Sequence, residues 1–338
     1  MATETAPLAL LRTMLRIRRL EERVIHFGRD HKLIRAHYHV YIGQEAAGTG
    51  ACAALRRDDL VFTTHRNHGH VLAKGGEPAP IMAEILGRAD GYQGGRAGTF
   101  HVAAPDIGIL HTSAIVGGCL PLAAGTAFAR KRLGGDRVTV VFFGDGTMEE
   151  GVFYETLNIA QLWRLPVLFY MENNSVSPQE RSGRGSPTSE HSAKALSDVP
   201  RSFGVDTLVI DGTKVHTVNE TVSYLVGRMR RGEGPFFIES RTTRWPGNYG
   251  SLPRLPGGDT DIAWAWDTGR APEIIRAWHA QSDPVLIEAR ELLAAKAVDQ
   301  DGLRALDLEV RDEIARAAER AIASPEPSAK DVYRNVYA

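Results

Sequence analysis

Only two cysteines, Cys52 and Cys119, occur in 338 residues. That is too few for a disulfide framework, so the expected setting is a reducing one, the cytoplasm. Charge of either sign is not in excess, since 40 Lys and Arg face 41 Asp and Glu for a formal net charge of -1. With the basic residues spread along the chain, no stripe forms that would hold nucleic acid. No apolar run reaches the roughly 18 residues a membrane-crossing helix needs, and the first residues lack a continuous signal-type apolar segment. Internal repeats and long low-complexity tracts are missing too. These absences leave a chain able to bury a large core, read as one α/β domain over 1–338. Helical additions are expected at both ends, an N-terminal extension over about 1–35 and a C-terminal tail over about 267–338.

The most informative stretch runs from Val138 to Asn174. An apolar run, Val138 to Phe143, breaks at Gly144-Asp145-Gly146. A helix-compatible segment follows with Phe153, Leu157 and Ala160 in phase, and a second apolar run, Leu165 to Met171, ends at Glu172-Asn173-Asn174. This pattern predicts strand, turn, helix, strand, turn. A parallel sheet sets two such turns side by side at the edge where open α/β sheets bind ligands. The Asp145 carboxylate and the Asn174 amide carbonyl, with a backbone carbonyl nearby, are hard oxygen ligands suited to magnesium. Gly144 and Gly146 permit a sharp turn that brings backbone amides close to an anion, with a helix start behind them. Gly-Asp-Gly alone is a common turn; the paired strand ends make the combination specific for a magnesium diphosphate site.

Elsewhere the periodicity is plain. Leu10, Met14, Ile17, Leu20, Val24 and Phe27 form a helical stripe, opposed by Arg12, Arg16, Arg19 and Arg23. Core packing accounts for the stripe, and the arginine face suggests a helix lying across a surface or a partner. Nine of the twelve histidines fall between His26 and His111, yet none has zinc-type spacing. His26, His31 and His37 read as surface or loop residues. Residues 87–118, rich in glycine, read as one long irregular loop. Strands are expected over Thr207 to Ile210 and Pro235 to Glu239, with a helix through Val215 to Met229 between them. This alternation predicts a parallel sheet with helices on both faces. Trp278, Leu286 and Leu292, then Leu303 through Ala321 at helical spacing, are expected core positions.

Gly43-Gln44-Glu45-Ala46, His65-Arg66-Asn67-His68-Gly69, Ile115-Val116-Gly117, Gly144-Asp145-Gly146, Leu165-Pro166-Val167 and Glu172-Asn173-Asn174 occur in this order. Together they resemble the thiamine diphosphate enzymes, nearest the alpha subunit of the decarboxylating component of 2-oxoacid dehydrogenase complexes. The resemblance covers nearly the whole chain and extends to the pyruvate, branched-chain and acetoin members. It implies a thiamine diphosphate-binding fold with thiamine diphosphate and Mg2+ as cofactors. Asp145, Asn174 and the carbonyl of Val176 would hold the metal. Arg66 would bind the terminal phosphate, aided by Gly146, Thr147 and His65, which stands where relatives commonly carry a tyrosine. His68 would support that loop, and Ala114 and Val116 would hold the aminopyrimidine ring. His39 and His101 match active-site histidines. In the loop Arg244-Trp245-Pro246-Gly247-Asn248-Tyr249, Asn248 takes the place of a histidine thought to move protons, unless the loop alignment is shifted. An amide cannot act as acid or base near neutral pH. Tyr249 replaces a serine that regulatory kinases modify in some relatives.

The resemblance also implies what lies elsewhere. No convincing carboxylate is present to activate the pyrimidine ring, since Glu45, Glu149, Glu150 and Glu155 all have other plausible roles. In the family a beta subunit supplies that glutamate, so the expected assembly is a heterotetramer of two alpha and two beta chains, inactive as alpha alone. The residues from Asp331 to Ala338 look like a tail docked at a subunit interface. The leading expectation is decarboxylation of a 2-oxoacid with acyl transfer to a lipoyl acyltransferase partner. The alternative, prompted by Asn248, is carboligation, ketol transfer or acyloin and diketone cleavage without a lipoyl partner. A third reading, a scaffold that binds cofactor without catalysis, fits poorly with intact Arg66, Asp145 and Asn174. Arg181 and Arg184 suit a solvated loop better than an acidic partner.

Overall fold

The computed structural model describes residues 6–34, 36–174, 191–247 and 253–333. Six strands, β1 (Leu60–Thr64), β2 (Ile109–Ser113), β3 (Thr139–Gly144), β4 (Val167–Asn173), β5 (Asp206–Asp211) and β6 (Phe236–Arg241), pair in the order β2-β1-β3-β4-β6-β5. Every pairing between them is parallel. Side chains alternate across a strand, and here both sides are buried. Val140, Phe142, Leu168, Tyr170, Phe236 and Ile238 belong to one apolar cluster; Val141, Phe143, Val167, Phe169, Met171 and Phe237 belong to the other. Helices therefore cover both faces, as the strand and helix alternation predicts.

The second cluster is closed by α5 (Cys119–Leu133) and α6 (Gly151–Leu162), which follow α1 (Ala6–Arg29), α2 (Glu45–Ala53), α3 (His68–Ala73) and α4 (Pro78–Ile85) in the chain. Later come α7 (Asp198–Ser202), α8 (Val215–Arg230), α9 (Glu273–Gln281), α10 (Pro284–Ala294) and α11 (Gln300–Ala323). The first cluster draws on α1, α2, α8, α10 and α11, and it holds Trp278, Leu286 and Leu292 together with Leu303, Leu306, Val310, Ile314, Ala317 and Ala321. Among the described residues no helix is long and apolar enough to cross a membrane.

Two expectations are corrected. The glycine-rich segment 87–118 is not one irregular loop, because Ile109–Ser113 forms the edge strand β2. Its apolar signal is short, and exposed His111 interrupts it. The arginine face of α1 does not lie open for a partner either. Arg12 pairs with Glu309 at 3.0 Å, Arg16 with Glu313 at 2.8 Å and buried Arg19 with Asp307 at 2.6 Å, so the face packs on α11. Arg18, on the same helix, is wholly buried: its Nε donates to Glu45 at 2.6 Å, and both terminal nitrogens donate to Asp283 at 2.9 Å. Burial opposes the Arg18 charge, but Asp283 and Glu45 outweigh it and raise its pKa.

Candidate functional site

The chain runs from β1 outward to the edge strand β2, returns to the other side of β1 as β3, and then builds away through β4. The connections leaving β1 and β3 diverge there, opening a crevice at the carboxyl ends of the strands. A cavity of about 170 Å³ occupies that position. The loop after β1 contributes Thr64, His65 and Arg66, the loop after β3 contributes Gly144 to Thr147, and β4 contributes Glu172 and then Asn174. Gly144 pairs with Glu172 in register, so Asp145 and Asn174 leave neighbouring strands at the same end of the sheet. Ser113, Ile115, Val116 and Gly117, between β2 and α5, form another wall.

Asn174 is buried, and its Nδ2 donates to Gln44 Oε1 at 2.7 Å. That bond orients the amide, whose Oδ1 accepts from Arg244 Nη2 at 3.2 Å. Arg244 comes from the segment after β6, which runs beside β4. Arg66 is buried, and its Nη1 donates to the carbonyl of Val40 at 2.8 Å. Burial and then the nearby Arg244 charge push its pKa down to about 10, against the pull of Glu172, Glu21 and Asp145.

Beneath the cavity floor the Tyr41 hydroxyl donates to Glu172 Oε1. His70 Nε2 lies 3.0 Å from that hydroxyl and 3.2 Å from the same carboxylate oxygen, while its Nδ1 lies 2.8 Å from Thr63 Oγ1. An Nε2–H tautomer satisfies all of these contacts. His68 sits beside Glu21 at 3.2 Å and Thr99 Oγ1 at 2.9 Å, bracing the loop that carries Arg66.

The expected site residues divide three ways. His65, Arg66, Val116, Asp145, Gly146, Thr147 and Asn174 all line the cavity, and Ala114 lies between lining residues Ser113 and Ile115. His39 and His101 are not in its wall. The His39 ring packs edge-on against His65 at 4.8 Å and stacks on Phe100 at 5.7 Å, whereas exposed His101 lies 3.1 Å from the Thr112 carbonyl through Nδ1. Burial, reinforced by Arg66, pushes the His39 pKa down to about 4 and the His65 pKa down to about 3. Val176 and Asn248, with Arg181, Arg184, Tyr249 and the chain after Tyr333, lie outside the described residues.

Sequence reasoning did not assign Gln44, Glu172 or Arg244 individual roles in the cavity. The available signal was the common carboxyl edge of a parallel sheet, where the segment after every strand is a candidate.

The cavity suits a diphosphate with a hard cation. A Cβ added at Gly144 or Gly146 would meet nothing within 4 Å, so these positions leave room for a ligand against the backbone. Two guanidinium groups suit phosphate oxygens, and Asp145 and Asn174 suit a divalent cation. Among the described residues no cluster of three His, Cys, Asp or Glu side chains could hold a metal; the oxygen donors that line the cavity there include one carboxylate at Asp145 and one amide at Asn174. Among the described residues the carboxylates lining the cavity are those of Asp145 and Glu172. Glu45 is turned away, held by Arg18 and by the amide of Gly43 at 2.8 Å.

Fold and cavity thus define a doubly wound α/β protein with a polar cavity at its switch point. The chain belongs to the family described as "Dehydrogenase E1 component", whose model matches residues 12–330. It is 33% identical over 331 residues to the alpha subunit of acetoin:2,6-dichlorophenolindophenol oxidoreductase from Cupriavidus necator, covering 98% of this chain and 93% of the relative. The alpha subunit of the pyruvate dehydrogenase E1 component from Zymomonas mobilis is 35% identical over 331 residues, covering 97% and 88%. A second acetoin oxidoreductase alpha subunit, from Bacillus subtilis, is 33% identical over 336 residues, covering 99% and 94%. The family and these relatives make the chain an alpha subunit of the thiamine diphosphate-dependent 2-oxoacid dehydrogenase type, an oxidoreductase component that works with a partner subunit.

Proposed function

We propose that this alpha subunit joins a beta subunit in a heterotetramer of two alpha and two beta chains that decarboxylates a 2-oxoacid and passes the acyl group to a lipoyl carrier. The observation behind this reading is the convergence of Asp145 and Asn174 on one cavity that also holds Arg66. In this assignment Asp145, Asn174 and the Val176 carbonyl bind Mg2+, Arg66 grips the terminal phosphate, and Gly146 and Thr147 approach the diphosphate from the turn. Ala114 and Val116 border the pyrimidine ring, and His65 offers a ring N–H in place of a phenol. Bound thiamine diphosphate supplies a carbon nucleophile for the substrate carbonyl.

His39 and His101 are assigned to proton handling at the substrate. With its pKa low, His39 is neutral at working pH and offers one donor and one acceptor nitrogen rather than a charge. Of the two carboxylates that line the cavity among the described residues, Asp145 is assigned to the metal and Glu172 is engaged by Tyr41 and His70. This supports a beta-chain glutamate as the group that activates the pyrimidine. The apolar cluster running from Leu11 to Ala321 supports one cofactor-binding unit in which the terminal helices are additions to the sheet.

A second reading is carboligation, ketol transfer or acyloin cleavage without a lipoyl partner. Asn248 in place of a proton-moving histidine favours it, and two of the relatives named above are acetoin oxidoreductase subunits. Substrate consumption by the copurified alpha and beta chains separates the two. Acyl transfer that requires lipoamide upholds the first, while turnover of an acyloin or ketose without lipoamide replaces it with the second.

A further inference from the structure

Arg244 reaches the cavity from a segment that is fixed on both flanks. The Thr242 amide donates to the Asn173 carbonyl at 3.0 Å, extending the pairing of β6 with β4. The Thr243 carbonyl accepts from Trp278 Nε1 at 3.3 Å, and buried Trp245 packs edge-on against Trp278 at 4.9 Å while donating to the Arg254 carbonyl at 2.8 Å. Gly43 passes directly beneath: a Cβ there would stand 2.7 Å from the Thr243 carbonyl, and its φ of +97° already favours glycine. With the main chain pinned, adjustment falls to the long Arg244 side chain.

That side chain is half-buried beside a second guanidinium, Arg66, in a cavity whose carboxylates are Asp145 and Glu172. It rests on Asn174 Oδ1, the oxygen assigned above to a divalent cation. Guanidinium and metal are both cations, and sharing one amide oxygen would hold like charges within a few ångströms in a poorly solvated space. A planar fork of N–H donors has a better use there, because it matches the oxygens of a diphosphate.

We propose that Arg244 is a second phosphate-binding residue of this cavity, a positioning group whose guanidinium exchanges Asn174 Oδ1 for the terminal phosphates as a divalent cation takes that oxygen. The proposal rests on reading the cavity as a diphosphate site. Arg66 would then hold the diphosphate from the β1 side and Arg244 from the β6 side.

The test is calorimetric binding of inorganic diphosphate to the full chain copurified with its partner, with and without Mg2+. Arg244→Gln is expected to weaken diphosphate binding about tenfold or more, the scale of a lost charge-assisted hydrogen bond. Arg244→Lys, which keeps the charge but not the fork, is expected to fall between that variant and the wild type. An unchanged circular dichroism spectrum and unfolding midpoint separate the effect from misfolding. Wild-type affinity in Arg244→Gln, alongside weakened binding in Arg66→Gln, overturns the proposal and leaves the diphosphate reading standing. Wild-type affinity in both variants overturns the two together.

Discussion

Gln44 Oε1 accepts from Asn174 Nδ2 at 2.7 Å across 130 residues of sequence. An amide has one donor end and one acceptor end, so this bond fixes which end faces the cavity. Gln44 is followed directly by α2, and Asn174 follows β4 directly; the contact therefore ties a helix start to a strand end at the site.

Replacing Gln44 with alanine frees the Asn174 amide to rotate. Magnesium-dependent binding of thiamine diphosphate is expected to weaken about tenfold, with a stability loss of about 1–2 kcal/mol from the lost buried hydrogen bond. Gln44→Glu keeps the acceptor and should retain more affinity than Gln44→Ala. Equal affinity in the two variants would break the argument.

Asp145→Ala removes the carboxylate while leaving the β3 core intact. Magnesium-dependent cofactor binding is expected to disappear, with the circular dichroism spectrum unchanged. Retention of the original affinity in a titration with and without chelator would count against Asp145 as a metal ligand.

Gly146→Ala probes the room left along the backbone turn. A Cβ there meets open space, so the folded chain should tolerate it within about 0.5 kcal/mol, as at an unconstrained surface position. Cofactor affinity should nevertheless fall, because the methyl group enters ligand space. A large loss of stability with affinity unchanged would reverse both parts.

The low pKa values of His39 and His65, about 4 and about 3, carry a defined pH dependence. Both rings are favoured in the neutral form when folded, whereas in the unfolded chain they take up protons near pH 6.5. Their contribution to stability is complete above about pH 6.5 and declines as pH falls toward 4 and then 3. Urea unfolding of wild type and of a His39→Phe, His65→Phe double variant, between about pH 7 and pH 5, should show a smaller loss in the variant. Parallel curves would remove the histidines from the account.

Asp283→Asn strips one charge from the buried Arg18 cluster and weakens the acceptor that caps α10 through the Val285 amide at 3.0 Å. Breaking a buried pair in this way costs about 3–5 kcal/mol, visible as a lower denaturation midpoint. Arg18 and His279 hold the Asp283 pKa well below the usual carboxylate range despite burial. This stabilisation is present above about pH 4 and is lost as pH falls below it.

The sheet centre was legible in the sequence because β3 and β4 are buried on both faces and therefore read as continuous apolar runs. The turns after them were legible for the same reason, since polar residues stand out at the ends of such runs. β2 was not, because it is an edge strand with exposed His111 at its middle and glycine-rich chain before it. The arginines of α1 misled because periodicity records which side of a helix is charged and not what meets it; acidic residues of α11 lie 297 positions away at two of the contacts. Arg244 has no motif of its own in the residue pattern, and its place comes from the register between β4 and β6.

Arg18 clamps Glu45, the residue beside Gln44, and Gln44 in turn steers Asn174. The first helix is thus mechanically continuous with the cavity edge of the sheet, like a tie rod anchored at the far wall of a building. Trimming that helix would be felt first as slack in cofactor retention, before any general loosening of the core.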